Sequence, residues 1–326
     1  MAARLPNQPF TNALLRFIEW RLGEANYFIG KSCDDPVALQ EARSFWSEAR
    51  FHDAEPLTLS GIDSTRTRYA DFARVGMHHP LSGIALAVEA LAFYHTPARN
   101  LEFAMAVRRE AHETLRSLGI RNYLPSPTRE RNLGEDRGLV LNDLAGATCR
   151  FGALTDSLPL ITESLRIYAR ADSTRDFRSH PSPTTSFLTG FGHAWLEHAE
   201  RTASRAEIDS ALARYQQAIA MNDAGSAPLS YAGIKRSMGR ALRLKATLAP
   251  DTTGRREELR SALEEIHYAA LALDPKTSRV ALAQVWREEA LILGDLGLLA
   301  MREETLARAD SLLADAAGVF PSGKYP

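Results

Sequence analysis

The sequence predicts an all-α protein in which helices pack as antiparallel pairs. Long segments place apolar residues at i, i+3, i+4 and i+7, the spacing of one helix face, and hardly any alternate with the period of a strand. Of the 326 residues, 45% are hydrophobic and 24% are charged, as in ordinary soluble globular chains. The pattern predicts about thirteen helices, near residues 10–29, 36–51, 63–75, 81–95, 98–118, 137–153, 157–171, 184–203, 205–222, 229–247, 254–273, 277–295 and 298–316.

Several predicted helices begin with residues that satisfy free backbone amides. Asp35 before Pro36 fits an N-cap followed by proline in the first helical position. Ser204 and Glu207 form an S-x-x-E capping box. Two longer connections, 122–136 and 172–183, are polar, rich in Pro and Ser, and carry several arginines. We expect surface loops there, with functional lids or partner contacts as the alternative.

A second signal recurs once per helix pair. Three predicted second helices place residues at spacing 0, +4, +7, with small residues on either side of a larger one: Ala42, Trp46, Ala49; Ala104, Arg108, Ala111; and Ala211, Tyr215, Ala218. Small residues allow a partner helix to approach closely, and a bulky residue between them fills the groove. The preceding helices carry glycine in Leu22-Gly23, Phe191-Gly192 and Met238-Gly239. Because glycine inside a helix costs about 1 kcal/mol relative to alanine, its recurrence predicts a close backbone crossing.

These segments resemble tetratricopeptide (TPR) repeats. Leu141, Leu144, Ala145 and Gly152 are similar to a first helix of that family, and Ser157, Ile161 and Ser164 to a second. The runs 211–223 and 270–275 are similar to the second-helix consensus. Equivalent positions, assigned as Ala104, Ser157, Ala211 and Leu263, lie further apart than the family unit of about 34 residues. The resemblance implies a single TPR-like α-solenoid over residues 1–326, with flexible ends at 1–9 and 318–326; an irregular helical bundle is the alternative.

Stacked helix pairs of this kind expose a concave groove lined by first helices, which commonly binds extended peptides or partner helices. If Gly239 marks the crossing, then Arg236, Arg240 and Arg243 lie together on the groove-facing stripe. Guanidinium groups suit carboxylates or phosphates because each offers a planar fork of donors. The same register places His193, Thr189 and Asn142 in the groove. The alternative is a solvated helix face.

Other classes of site find little support. His193 and His198 are five residues apart, so their rings diverge, and His193 with Glu197 lacks a third ligand; we expect no metal. The sequence contains no G-x-S-x-G, P-loop or dinucleotide-binding glycine motif, so we expect no catalytic residues and no cofactor. The net charge is −1 and no long apolar segment occurs, which predicts no direct nucleic-acid partner, no membrane partner and a cytoplasmic location.

The sequence therefore predicts a non-catalytic helical-repeat scaffold that binds a protein partner or an acidic peptide in its concave groove. Two alternatives remain open at this stage. One is a regulatory protein that senses a ligand or peptide, and the other is an all-helical enzyme whose site is not recognisable by motif. A deep pocket with convergent carboxylates or histidines would favour the enzyme.

Overall fold

The computed structural model describes residues 22, 26–27, 36–53, 84–85, 87–88, 97–117, 133–174 and 181–318. Throughout these residues the chain is helical or forms short turns, and no strand occurs among them. The described residues form ten helices: α1 (Pro36–Asp53), α2 (Pro97–Ser117), α3 (Leu133–Leu154), α4 (Leu158–Thr174), α5 (Pro181–Thr202), α6 (Arg205–Ile219), α7 (Pro228–Thr247), α8 (Thr252–Leu271), α9 (Arg279–Asp295) and α10 (Leu299–Gly318). The predicted all-α class is confirmed.

The number of helices is ten in the described part of the chain, where thirteen were predicted. The other three predicted helices, near 10–29, 63–75 and 81–95, lie largely or wholly outside the described residues. The predicted loops are shorter than expected, since α3 begins within 122–136 and α4 and α5 extend into 172–183. Proline is tolerated in a first helical turn, so Pro181 and Pro183 do not prevent α5 from starting there. Of the predicted flexible ends, all but Gly318 lie outside the described residues.

Local capping accounts for where α6 and α8 begin. Ser204 precedes α6, and its side chain accepts a hydrogen bond from the backbone N–H of Glu207 at 3.4 Å, as the capping box predicts. The Glu207 carboxylate instead accepts from the Thr202 hydroxyl at 2.7 Å and lies 2.9 Å from His198 Nδ1. Asp251 caps α8 by accepting from Gly254 N–H at 2.7 Å. The side chain of Glu207 therefore ties two helices together rather than closing the box.

The predicted small–large–small triplets lie in the core. Their side chains in α1, α2 and α6 are buried wherever they are described, and the side chain of Ala49 lies outside that description. Two further helices show the same spacing with every member buried: Ser164, Tyr168 and Ala171 in α4, and Ala262, Ile266 and Ala269 in α8. The equivalent positions are therefore Ser164 and Ala262, and the sequence-based assignment to Ser157 and Leu263 was wrong. A hydroxyl occupies the small position in α4, where Ser164 donates to the Ala145 carbonyl at 2.9 Å.

Two of the three predicted first-helix glycines, Gly192 and Gly239, contact the large residue of the following triplet, which confirms the predicted crossing there; Gly23 lies outside the described residues. A Cβ atom on Gly192 would lie 2.5 Å from the ring of Tyr215, and one on Gly239 would lie 2.7 Å from Ile266. Gly146 of α3 faces Tyr168 in the same way, at 3.3 Å. Since Tyr215 and Ile266 are fully buried, neither side chain can swing into solvent to make room. Close helix approach thus accounts for glycine at Gly192 and Gly239.

The chain folds as two compact units, Met1–Ser179 and His180–Pro326. In the first unit, α3 packs against α4 and α2. In the second, α5 pairs with α6, α7 with α8, and α9 with α10, and the first helices α5, α7 and α9 also contact one another in that order. The second unit is therefore a stack of three helix pairs. The prediction of one domain over 1–326 stays a prediction.

Replacing Gly192 with alanine should lower the free energy of unfolding by about 1–3 kcal/mol, because the new methyl group overlaps the Tyr215 ring. Gly233 is the matched control, since it lies inside α7 and a Cβ added there would have no other atom within 4 Å. Gly233→Ala should raise stability by up to about 1 kcal/mol through helix propensity alone. Urea unfolding of both variants measures this, and destabilisation of equal size in the two would contradict a packing role for Gly192.

Candidate functional site

The predicted arginine stripe lies on the side of α7 that borders α5 and α9. Arg240 bonds to Glu197 at 2.9 Å and Glu200 at 2.6 Å, both on α5. Arg243 pairs with Asp295 of α9 at 3.5 Å, and Arg236 donates to the side-chain oxygen of Gln284 of α9. We call this surface the first-helix face, defined by Arg236, Arg240, Arg243, Glu197, Glu200, Gln284, Glu288 and Asp295.

Arg240 and Arg243 are therefore engaged with carboxylates of the protein itself, whereas Arg236 bonds to a neutral amide. Glu197 also accepts from Arg201 at 3.0 Å, so one carboxylate serves two guanidinium groups. The sequence missed these acidic partners because they belong to neighbouring helix pairs. Their positions on first helices, beside the crossing residues, are the signal that could have identified them. Any acidic ligand of this surface has to compete with the protein's own carboxylates.

The three arginines differ in how fully their charge is balanced. Burial opposes the charge of Arg240, but Glu197 and Glu200 outweigh it and raise the pKa of this guanidinium. At Arg236, burial is the largest influence and lowers the pKa, Arg240 adds to the lowering, and Glu288 only partly offsets them. Arg243 has a buried Nε atom without a hydrogen-bond partner among the described residues. Arg236 is consequently the arginine that would gain most from an added carboxylate.

The other predicted groove residues are placed differently. His193 is exposed on α5, and its Nε2 lies 2.8 Å from the hydroxyl of Ser237 on α7, so it borders the first-helix face. Thr189 donates its hydroxyl to the Thr185 carbonyl at 2.7 Å, within its own helix. Asn142 belongs to the other compact unit, where its amide donates to Asp143 at 3.2 Å. The side-chain oxygen of Asn142 is buried with no hydrogen-bond partner among the described residues.

The segment 193–198 holds no assembled metal site in the structure. His193 contacts Ser237, Glu197 binds two arginines, and His198 pairs with Glu207 at 2.9 Å. Across the described ranges, no group of three His, Cys, Asp or Glu residues is placed to hold a metal ion. Cys149 is buried in α3. Over the same described residues, no helix is both long and apolar enough to cross a membrane.

Comparison with known proteins gives only distant structural likenesses. No protein-family model and no curated protein matches the sequence. Among solved structures, the chain is similar to BtubC (BKLC) from P. vanneervenii, with 13% identity over 82% of this chain and 97% of that one, at a TM-score of 0.42. It is also similar to a circular tandem repeat protein with novel repeat topology and enhanced subunit contact surfaces, with 13% identity over 95% of this chain and 72% of that one, at a TM-score of 0.28. Likenesses at these scores carry no argument about function. By its own helix pairs the chain is an all-α helical-repeat protein.

Arg240→Gln should lower the free energy of unfolding by about 0.5 kcal/mol, since its ion pairs are partly exposed to solvent. The loss should shrink in high salt, which screens exposed charges. Arg287→Gln is the control, because Arg287 and Asp310 are both well exposed and 3.8 Å apart. Urea titrations at low and high salt test this, and a salt-independent loss at Arg240 would contradict the electrostatic account.

Proposed function

We propose that the protein is a non-catalytic, TPR-like scaffold that binds a protein partner or a short acidic segment on the first-helix face. The observation that carries this proposal is Arg236, a half-buried arginine whose charge is only partly balanced by the protein. Its hydrogen-bond acceptor there is the neutral amide of Gln284. A ligand carboxylate exchanging with that amide would form a charge-assisted pair in its place.

The surroundings of Arg236 favour a polypeptide ligand over an isolated anion. His193 follows Gly192 in α5, Arg240 follows Gly239 in α7, and Leu291 follows Ala290, the buried small residue at the equivalent position of α9. Leu291 is 43% exposed, so it offers apolar contact beside the charged row. The face thus combines an anchoring cation, hydrogen-bonding groups and an apolar position along preformed helices, which limits the entropy cost of binding.

The carboxylates of the face determine what can bind. Glu197, Glu200 and Asp295 already hold Arg240 and Arg243. A strongly acidic segment would be repelled by these groups unless it replaces them. We therefore expect a segment with one or a few well-placed carboxylates rather than a uniformly acidic run. The predicted cytoplasmic location stays a prediction.

Arg236→Gln should weaken binding of a fluorescent peptide containing a single central glutamate by about tenfold, the loss of one charge-assisted hydrogen bond. Arg256→Gln, on the exposed side of α8, is the matched control and should bind like the wild type. Fluorescence anisotropy with the full chain measures both, with a central-glutamine peptide as the ligand control. Equal affinity of the wild type and Arg236→Gln for the glutamate peptide would refute this site.

A further inference from the structure

A second site is indicated on the other side of the same helix pairs. An open groove of about 500 Å³ is lined by Arg260, Ser261, Leu263, Glu264 and His267 of α8 and by Glu289 of α9. We call it the α8–α9 groove. At 3.6 residues per turn, the residue before a crossing position and the residue after it point in nearly opposite directions. Glu289 precedes the small residue Ala290, whereas Arg240 follows Gly239, so the two sites occupy different faces of the stack.

The helix pairs give Glu289 an unusual position. Gly192, Gly239 and Ala290 share one register, since the residues five before and two after each of them are also buried. The residue immediately before the crossing is buried Phe191 in α5 and buried Met238 in α7. In α9 the same position holds a carboxylate, Glu289, and the groove lies open beside it. Among the three first helices of the second unit, α9 therefore has a charged residue where α5 and α7 have a core residue.

The negative charge of Glu289 is only partly balanced by the protein around it. None of the described residues gives it a hydrogen bond or an ion pair. Burial raises the pKa of Glu289, and the positive charge of Arg308 and the nearby His267 only partly oppose this. Arg308 lies over the ring of Trp286, 4.3 Å from its centroid, which holds the guanidinium against the aromatic side chain. Retaining such a group costs stability, which is typical of a position kept for binding.

From this arrangement we propose that the α8–α9 groove binds an organic cation, an ammonium or a guanidinium group, with Glu289 as its principal partner. Glu264 of α8 supplies a second carboxylate and Leu263 an apolar surface for the aliphatic part of the ligand, while Arg260 and His267 of the same lining restrict the cation to the end of the groove next to Glu289. Ser261 offers a hydroxyl at the rim. Two sources have this chemistry, a free small amine and a lysine or arginine side chain of a polypeptide. The site does not depend on the first-helix face, so each can fail without the other.

The test titrates the full chain with agmatine and with a short glycine-rich peptide containing one lysine, using isothermal calorimetry. N-acetylglutamate is the anionic control and should not bind. Glu289→Gln removes the charge with little change in shape, and at least a tenfold loss of affinity is expected. Tighter binding of agmatine identifies a free amine as the ligand type, and tighter binding of the peptide identifies a side chain. No binding of either cation, or unchanged binding to Glu289→Gln, would overturn the proposal.

Two controls separate this site from general charge effects and from the first-helix face. Glu257→Gln removes an exposed carboxylate of α8 that does not line the groove, and it should keep wild-type affinity for the cation. Arg236→Gln should also keep it. Glu289→Met, which introduces the residue of α7, should lose cation binding and raise Tm by a few degrees. A loss of binding accompanied by a lower Tm would show that Glu289 serves the fold instead.

The pH dependence of stability gives an independent measure. Because the pKa of Glu289 is raised by folding, its ionised form costs stability at pH values above that pKa. The cost disappears as pH falls below the ordinary carboxyl value, where Glu289 is protonated in both states. The titratable and charged groups around it are Arg260, Glu264 and His267 of α8, which line the same groove, and Arg308 of α10. Glu289→Gln should therefore be more stable than the wild type at pH 7, with the difference shrinking near pH 4 in thermal melts; a difference that grows toward low pH would contradict this.

Discussion

The close crossing of each first helix over its second helix is the constraint on which the rest of the second unit depends. Gly192 and Gly239 have no side chain, and the space beside them is filled by Tyr215 and Ile266. The large residue is fully buried between small neighbours. It therefore fixes how the first helix is rotated about its axis and how far it is shifted along the second helix. Once that contact is formed, every other position on the first helix has a defined direction. Both proposed binding surfaces are consequences of this register.

The register explains why polar residues gather where they do. On one side of the crossing, the arginines of α7 bond to acids of α5 and to an acid and an amide of α9, and so join the three helices. The ion pairs of Arg240 are partly exposed, so they orient neighbours more than they stabilise them. Positions on the other side are normally filled by Phe191 or Met238. Glu289 departs from that pattern, and its departure coincides with an open groove.

The first unit shows a different way to occupy the large position of a triplet. Arg108 in α2 stands where α6 has Tyr215, and its side chain is 2% exposed. A buried guanidinium is costly unless it is paired, and Asp143 of α3 lies 2.8 Å away while remaining 32% exposed. The arginine therefore spans the core with its aliphatic stem and meets the carboxylate near the surface. Asp143 of α3 thus supplies a partner that makes a buried charge between small residues compatible with the packing.

The sequence alone determined the helical class, the small–large–small triplets and the glycine crossings, because these depend on residues less than three turns apart and on side-chain size. It also identified Arg236, Arg240 and Arg243 as one stripe, since helix geometry fixes their relative directions. Tertiary structure decided which residues those arginines meet, because Glu197 and Asp295 come from helices far away in sequence. The structure also moved the equivalent second-helix positions to Ser164 and Ala262. Burial identifies these positions, and the residue types alone do not. The only partly balanced charge of Glu289 likewise depends on what surrounds it, which no local pattern contains.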